Sequence, residues 1–169
     1  MAWQVIAALS YPHRLIGYKG RLPWHLPLEL QLFRHRTWGG ILVIGRRTWE
    51  SLQRSLPGRE LWILSRTLTL ELPMVRVFST PEALLAALAE VRKPVFFAGG
   101  AEIYRWALCL PQVDTLWLTW VYAPDLTQGD TFFPPFEDQW QAVAWEFFED
   151  RCVPFLQVLY RRREASTNE

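Results

Sequence analysis

The sequence predicts an α/β fold: one domain, built on a mostly parallel sheet with helices on both faces. Three observations carry this expectation. Short apolar, β-branched or aromatic runs recur between turn residues, stretches of helix-forming composition separate them, and 169 residues, half of them apolar, suit one buried core. Strands that alternate with helices imply parallel pairing, because a parallel crossover has room for a helix.

Taken in order, Trp3 to Leu9 reads as the first strand and Pro27 to Thr37 as the first helix. Ile41 to Ile44 is apolar throughout, as a strand buried on both faces must be, and Arg47 to Leu52 follows as a short helix. Leu61 to Leu64 and Val75 to Phe78 are further strands. Thr80, Pro81 and Glu82 then supply an N-cap, a proline for the first helical position and an acid for the first turn, ahead of the alanine-leucine body Ala83 to Val91. Val95 to Phe97, a helix from Glu102 to Leu108 and a strand from Thr115 to Tyr122 continue the alternation. Gln141 to Glu149 and Phe155 to Arg161 alternate in polarity, which suggests an antiparallel pair at a sheet edge, and Gly129 to Pro134 is a loop leading to it. The domain spans 1–163, and the polar residues Glu164 to Glu169 are a tail expected to fray.

Composition excludes several function classes. A net charge of +1 with 21% charged residues gives no general basic surface for nucleic acid. No apolar run approaches the ~20 residues that span a bilayer, and Met1 to Ser10 lacks the features of a signal peptide, so a membrane role is not expected and the cytoplasm is the default address. Cys109 and Cys152 have no metal-ligand spacing and read as buried or idle thiols of a reducing compartment; His13, His25 and His35 read as surface residues, and no metal is expected. Ten tryptophans and ten phenylalanines must mostly fill the core, with a few left to line a pocket for a flat ligand.

Four segments carry candidate chemistry. In Leu22 to Phe33, Glu29 is the only carboxylate of an apolar run, and a helix from Pro27 aligns it with Phe33 and Thr37. Such an acid can hold an amino-pyrimidine edge with its pKa raised by desolvation; an exposed glutamate favoured by the helix N-terminus is the alternative. Ile41 to Leu52 joins a strand, Gly45, two arginines and a helix start, which suits a phosphate as well as a plain surface turn, and Leu64-Ser65-Arg66 can join it. Phe96 to Tyr104 repeats strand, glycines, helix. Its Gly99-Gly100 pair lets backbone approach a diphosphate, or simply makes a tight turn. In Leu56-Pro57-Gly58-Arg59 the arginine is either solvated or a bidentate partner for a carboxylate.

In their order these pieces resemble the dihydrofolate reductase family, from about Trp3 to Arg162. The resemblance rests on Ile6-Ala7-Ala8, Ile16-Gly17, Leu22-Pro23-Trp24, Leu26 to Phe33, Gly45-Arg46-Arg47-Thr48-Trp49-Glu50-Ser51, Leu56-Pro57-Gly58-Arg59, Gly99-Gly100-Ala101-Glu102-Ile103-Tyr104 and Gly129 to Pro134. It implies an eight-stranded, mostly parallel sheet with one antiparallel edge strand and four flanking helices, and NADPH-dependent reduction of dihydrofolate to tetrahydrofolate for one-carbon metabolism, as in targets of antifolates. A hydride goes to C6 of the pterin and a proton to N5.

The resemblance also implies roles. Glu29, Trp24, Leu22 and Thr119 form the catalytic set: Glu29 holds the pterin, Trp24 an ordered water, Thr119 the same polar network, and Leu22 closes a mobile lid running from about Ser10 to Trp24. Ile6, Ala7, Leu30, Phe33, Leu52, Leu56, Ala98 and Tyr104 surround the substrate, and Arg59 takes its α-carboxylate. Ala8 and Ile16 border the nicotinamide; Gly45, Arg46, Arg47 and Thr48 with Gly99, Gly100, Ala101, Glu102 and Ile103 border the diphosphate; Arg46, Ser65 and Arg66 lie around the 2′-phosphate; and Gly17, Leu64 and Tyr104 complete the cofactor-binding set. A cis peptide is expected at Gly99-Gly100, and a monomer from the family's habit. Ala98 is smaller than the branched residue often found there, and Ala101 replaces a third glycine seen in many members. Rival readings are the pyrimidine reductase of riboflavin synthesis, which needs a basic substrate pocket, and a noncatalytic module on the same fold.

Overall fold

The computed structural model describes residues 3–17 and 24–164. Its elements are β1 (Trp3–Tyr11), β2 (Leu15–Gly17), α1 (Pro27–Thr37), β3 (Ile41–Gly45), α2 (Arg46–Leu52), β4 (Glu60–Leu64), β5 (Val75–Phe78), α3 (Pro81–Ala89), β6 (Val95–Phe97), α4 (Ala101–Leu108), β7 (Val113–Tyr122), β8 (Thr131–Phe132), β9 (Trp140–Asp150) and β10 (Val153–Arg162). Eight strands form one sheet in the order β5-β4-β3-β6-β1-β7-β10-β9. Pairing is parallel from β5 to β7, and β10 runs against both β7 and β9, so the expected antiparallel edge is a hairpin. The expected eight strands and four helices are all present.

Alternation along the central strands separates two apolar layers. Val5, Ala7 and Leu9 of β1 pack with Val43, Phe97, Leu116 and Leu118 against Leu84 and Leu88 of α3 and Ile103, Ala107 and Leu108 of α4. Ile6 of β1 faces the opposite way, with Leu42, Ile44, Leu61, Ile63 and Phe96, against Trp49 of α2 and Phe33 of α1. Helices α1 and α2 therefore cover one face, and α3 and α4 the other.

Helix α3 begins as its sequence suggests: the Thr80 hydroxyl accepts from the Ala83 N–H at 3.1 Å. The segment expected to be a lid is partly strand. β1 runs on through Ser10 to Tyr11, and β2 pairs with β8 inside the stretch expected as the loop Gly129 to Pro134, because fully buried Leu15 draws the chain back onto the sheet. Residues 18–23 of that segment, Leu22 included, lie outside the described residues, as do 165–169 of the tail.

Tryptophan burial is graded. Trp3, Trp49, Trp62 and Trp140 are core, whereas Trp38 and Trp145 are more than half exposed. The three histidines are exposed. Both cysteines are exposed free thiols, so burial is not what keeps them unpaired. Among the described residues no helix is long and apolar enough to cross a membrane.

Candidate active site

Pairing lengths create the site. β6 meets β1 only at Trp3, Gln4 and Val5, while β1 continues beside β7 to Tyr11. Past Val5 the β6 side of β1 carries no ladder, and the Ile6 carbonyl instead accepts from the Tyr104 hydroxyl of α4 at 2.9 Å. The short β6 thereby opens a gap at the strand ends, the position at which open α/β sheets bind ligands.

Helix α1 delivers an acid to this gap. Its N-cap, Leu26, has no side-chain acceptor, and the Leu28 N–H donates to Asp150 Oδ2 of β9 at 2.9 Å, which anchors the first turn from across the molecule. Glu29 follows, 5% exposed, on the face that also carries Phe33 and Thr37. Burial pushes its carboxyl up from 4.5 to about 7, because a charge there has lost its water. Burial and then the nearby Glu29 hold the Tyr104 hydroxyl well above its ordinary range, so it stays a donor. Thr119 of β7 pairs with Ala8 on one side and Gln157 on the other, is 7% exposed, and accepts from Gln157 Nε2 at 3.4 Å. The Trp24 indole N–H is buried without a hydrogen-bond partner among the described residues, a donor that suits a bound polar atom.

Apolar walls and a buried cation complete this half. Phe33, Leu52, Leu56 and Ala98 pack, partly buried, around Ile6 and its neighbours. Leu30 stands 43% exposed beyond that cluster, its side chain open to a ligand. Arg59 is 5% exposed; it donates to Pro57 O at 3.1 Å and Thr37 Oγ1 at 3.4 Å, both uncharged. Burial, and then the positive charge of Arg34, lower its pKa, so an incoming anion meets a poorly neutralised guanidinium.

The other half is built from glycines. Gly45 N–H donates to Gly99 O at 2.8 Å, which brings the starts of α2 and α4 together. Both helices begin at a glycine N-cap with no side-chain cap bond, in contrast to α3. Gly99 has φ +121°, and a Cβ there would stand 3.3 Å from Tyr104 Oη and 3.5 Å from Thr48 Oγ1; at Gly45 it would meet Ile103 at 3.4 Å. These glycines keep the space open. The peptide between Gly99 and Gly100 is cis, as the resemblance implies.

Register sets the rest. Gly45 pairs with Leu64, so Arg46 and Arg47 leave β3 beside Ser65 and Arg66 leaving β4. Ser65 is buried and its hydroxyl accepts from the N–H groups of Thr67 and Leu68, whereas the three arginines are exposed and Arg46 pairs with Glu50 at 3.1 Å. Ala8, Ile16 and Gly17 are half-buried, and Ala101 and Glu102 open α4. Four residues at the acid's end escaped the sequence reading: Arg36, Trp117, Gln157 and Asp150. Arg36 was within reach of it, since it stands seven residues beyond Glu29 on the same helix face; the others depend on strand pairing.

Comparison with known proteins gives concordant matches. A model of the family described as dihydrofolate reductase matches residues 3–162. The chain is 39% identical to dihydrofolate reductase type 3 of Salmonella typhimurium over 91% of its own length and 89% of the relative's. It is 32% identical to dihydrofolate reductase type A13 of Escherichia coli, over 95% and 94%. Among solved structures, dihydrofolate reductase from Enterococcus faecalis, complexed with NADP(H) and RAB-propyl, superposes with a TM-score of 0.85 at 28% identity, covering 96% of this chain and 97% of that one.

Proposed function

The chain belongs to the dihydrofolate reductase family, and on that premise we propose that Glu29 is the acid that holds and polarises the pterin while the glycine-lined starts of α2 and α4 hold the cofactor. It is an oxidoreductase that converts dihydrofolate, NADPH and a proton to tetrahydrofolate and NADP+. The observation that carries the assignment of roles is the placement of a buried carboxyl, with its pKa raised to about 7, beside a gap whose far side is glycine backbone.

NADPH suits the residues present. Uncapped N–H groups at two helix starts, space that a Cβ would fill, and the arginines at the ends of β3 and β4 fit a diphosphate and a 2′-phosphate. When bound, the cofactor supplies a hydride from its nicotinamide, delivered to C6 of the substrate. The chain's own residues do the rest. Glu29 pairs with the amino-pyrimidine edge and raises the basicity of N5, which takes its proton from solvent. Thr119 and Trp24 complete the polar end, with Leu22 assigned to the lid. Ile6, Ala7, Leu30, Phe33, Leu52, Leu56, Ala98 and Tyr104 hold the rings, and a dry slot keeps the stacked pair in register. Arg59 takes the tail carboxylate. Ala8 and Ile16 border the nicotinamide; Gly45 to Thr48 and Gly99 to Ile103 the diphosphate; Arg46, Ser65 and Arg66 the 2′-phosphate; Gly17 and Leu64 flank them in the cofactor-binding set. Cytoplasmic residence and a monomeric state go with this reading.

Oxidation of NADPH followed with dihydrofolate, against a riboflavin precursor, tests the substrate. Glu29→Gln tests the mechanism: it should lower kcat and remove the inflection of the rate profile near pH 7. Undiminished turnover with the wild-type pH profile would remove Glu29 from the role.

A further inference from the structure

Glu29 shares an enclosed cavity of about 20 Å³ with Arg36, Thr119 and Gln157, its apolar walls including Phe33 and Trp117. A buried water needs roughly 10–15 Å³ of such space and two to four polar partners, so this cavity has the size and the lining for one. Arg36 is fixed at its edge. The guanidinium carbon stacks 3.5 Å from the centroid of the Trp117 ring, and that ring is itself held by its N–H donating to Gln4 Oε1 at 2.9 Å. Seven residues apart on one face of α1, Arg36 and Glu29 both line this cavity.

We propose that the cavity is a one-water site and that Arg36 is a positioning residue, turning that water so that it donates to the Glu29 carboxylate. The directionality follows from donor counting. A guanidinium only donates, so a water beside it must accept there and point its hydrogens elsewhere. Thr119 already accepts from Gln157, which leaves the carboxylate as the strongest acceptor on the wall. A hydrogen bond given to the ionised form favours that form, so Arg36 opposes the effect of burial on Glu29 and sets the pH range of turnover. Among the described residues, the other ionisable groups facing this pair are Tyr104 of α4 and Glu146 of β9, whose charge acts on Arg36. Asp150 of β9 is engaged by the Leu28 N–H, while β1, β7 and β10 present uncharged side chains: Ile6, Thr119 and Gln157.

The inference rests on Glu29 being the acid of the site, and its test reads the residue directly. In ligand-free protein, carboxyl ¹³C NMR titration assigned with Glu29→Gln should give a Glu29 midpoint that Arg36→Met raises by roughly half a unit to one unit. Arg36→Lys, which keeps charge and donors, should restore it. The pH profile of kcat/KM should move with the midpoint. A wild-type cross-peak from a long-lived water to the Thr119 methyl should accompany it. If the methionine variant does not fold, Arg36→Gln reads the same shift, since it loses the charge and keeps a polar tip. An unmoved midpoint, equal displacement in the methionine and lysine variants, or the lack of that cross-peak overturns the proposal. Full turnover in Glu29→Gln would instead overturn the catalytic reading, and the midpoints would still decide the coupling.

Discussion

Glu29, the acid proposed to hold the pterin, would link turnover to stability through one proton. Its carboxyl titrates near 7 in the fold against 4.5 in water, so the folded chain binds that proton more tightly than the unfolded chain does. Stability from this group is intact below pH 4.5, falls as pH rises between the two values, and is lost above about 7. At ~1.4 kcal/mol per unit the loss is on the order of 3 kcal/mol, undiminished by solvent because the side chain is almost wholly buried. Glu29→Gln should therefore be more stable than wild type at pH 8 by about that amount in urea unfolding, and equal to it near pH 4. A difference that does not vary with pH would mean that the carboxyl is solvated. Arg59 belongs to the same scale. A buried guanidinium bonded only to neutral oxygens suits a carboxylate, so Arg59→Ala should raise KM for dihydrofolate roughly 10- to 100-fold, from ~1.5–3 kcal/mol for a charge-assisted pair, with NADPH affinity unchanged.

Among the elements, α1 is the one whose position decides the chemistry. Its apolar residues do not form a single stripe: Leu28 and Leu32 pack on the side of Val121 and Phe155, Phe33 faces Ile6, and Leu30 is exposed. The bond from Leu28 N–H to Asp150 of β9 fixes the start of the helix. Asp150→Ala should cost about 1 kcal/mol, the usual value of an N-terminal cap, and lower Tm by roughly 2–4 °C. Calorimetry that finds no change would show that water replaces the carboxylate there. Helices α2 and α4 show the opposite economy, with glycine caps that leave their first N–H groups for a ligand.

For the molecule as a whole, strand order brings the proposed cofactor-binding segments together. Gly45 pairs with Leu64 and bonds to Gly99, so three segments distant in sequence end side by side. NADPH at a hundred times its Kd should add ~2.7 kcal/mol to folding stability. Arg46→Ala combined with Arg66→Ala should abolish most of that gain for NADPH and leave NADH-induced stabilisation nearly unaltered. Equal losses for both cofactors, read by thermal shift, would place the 2′-phosphate elsewhere.

Local patterns fixed in advance what depends on neighbours in the chain. The Thr80 cap, the proline at the start of α1, the apolar run of β3 and the glycine breaks before α2 and α4 all act within a few residues, and the structure reproduces each. Whether Glu29 was buried or solvated was open in the sequence, because spacing names a helix face without saying what covers it. Tertiary structure decided that by laying the face on β1 and β7. It also decided that Asp150 caps a helix 122 residues away, that β2 and β8 pair within segments read as loops, and that Arg36 and Gln157 meet Glu29 at one cavity. Each of these is a contact between distant parts of the chain, set by strand register and by the space left between packed side chains.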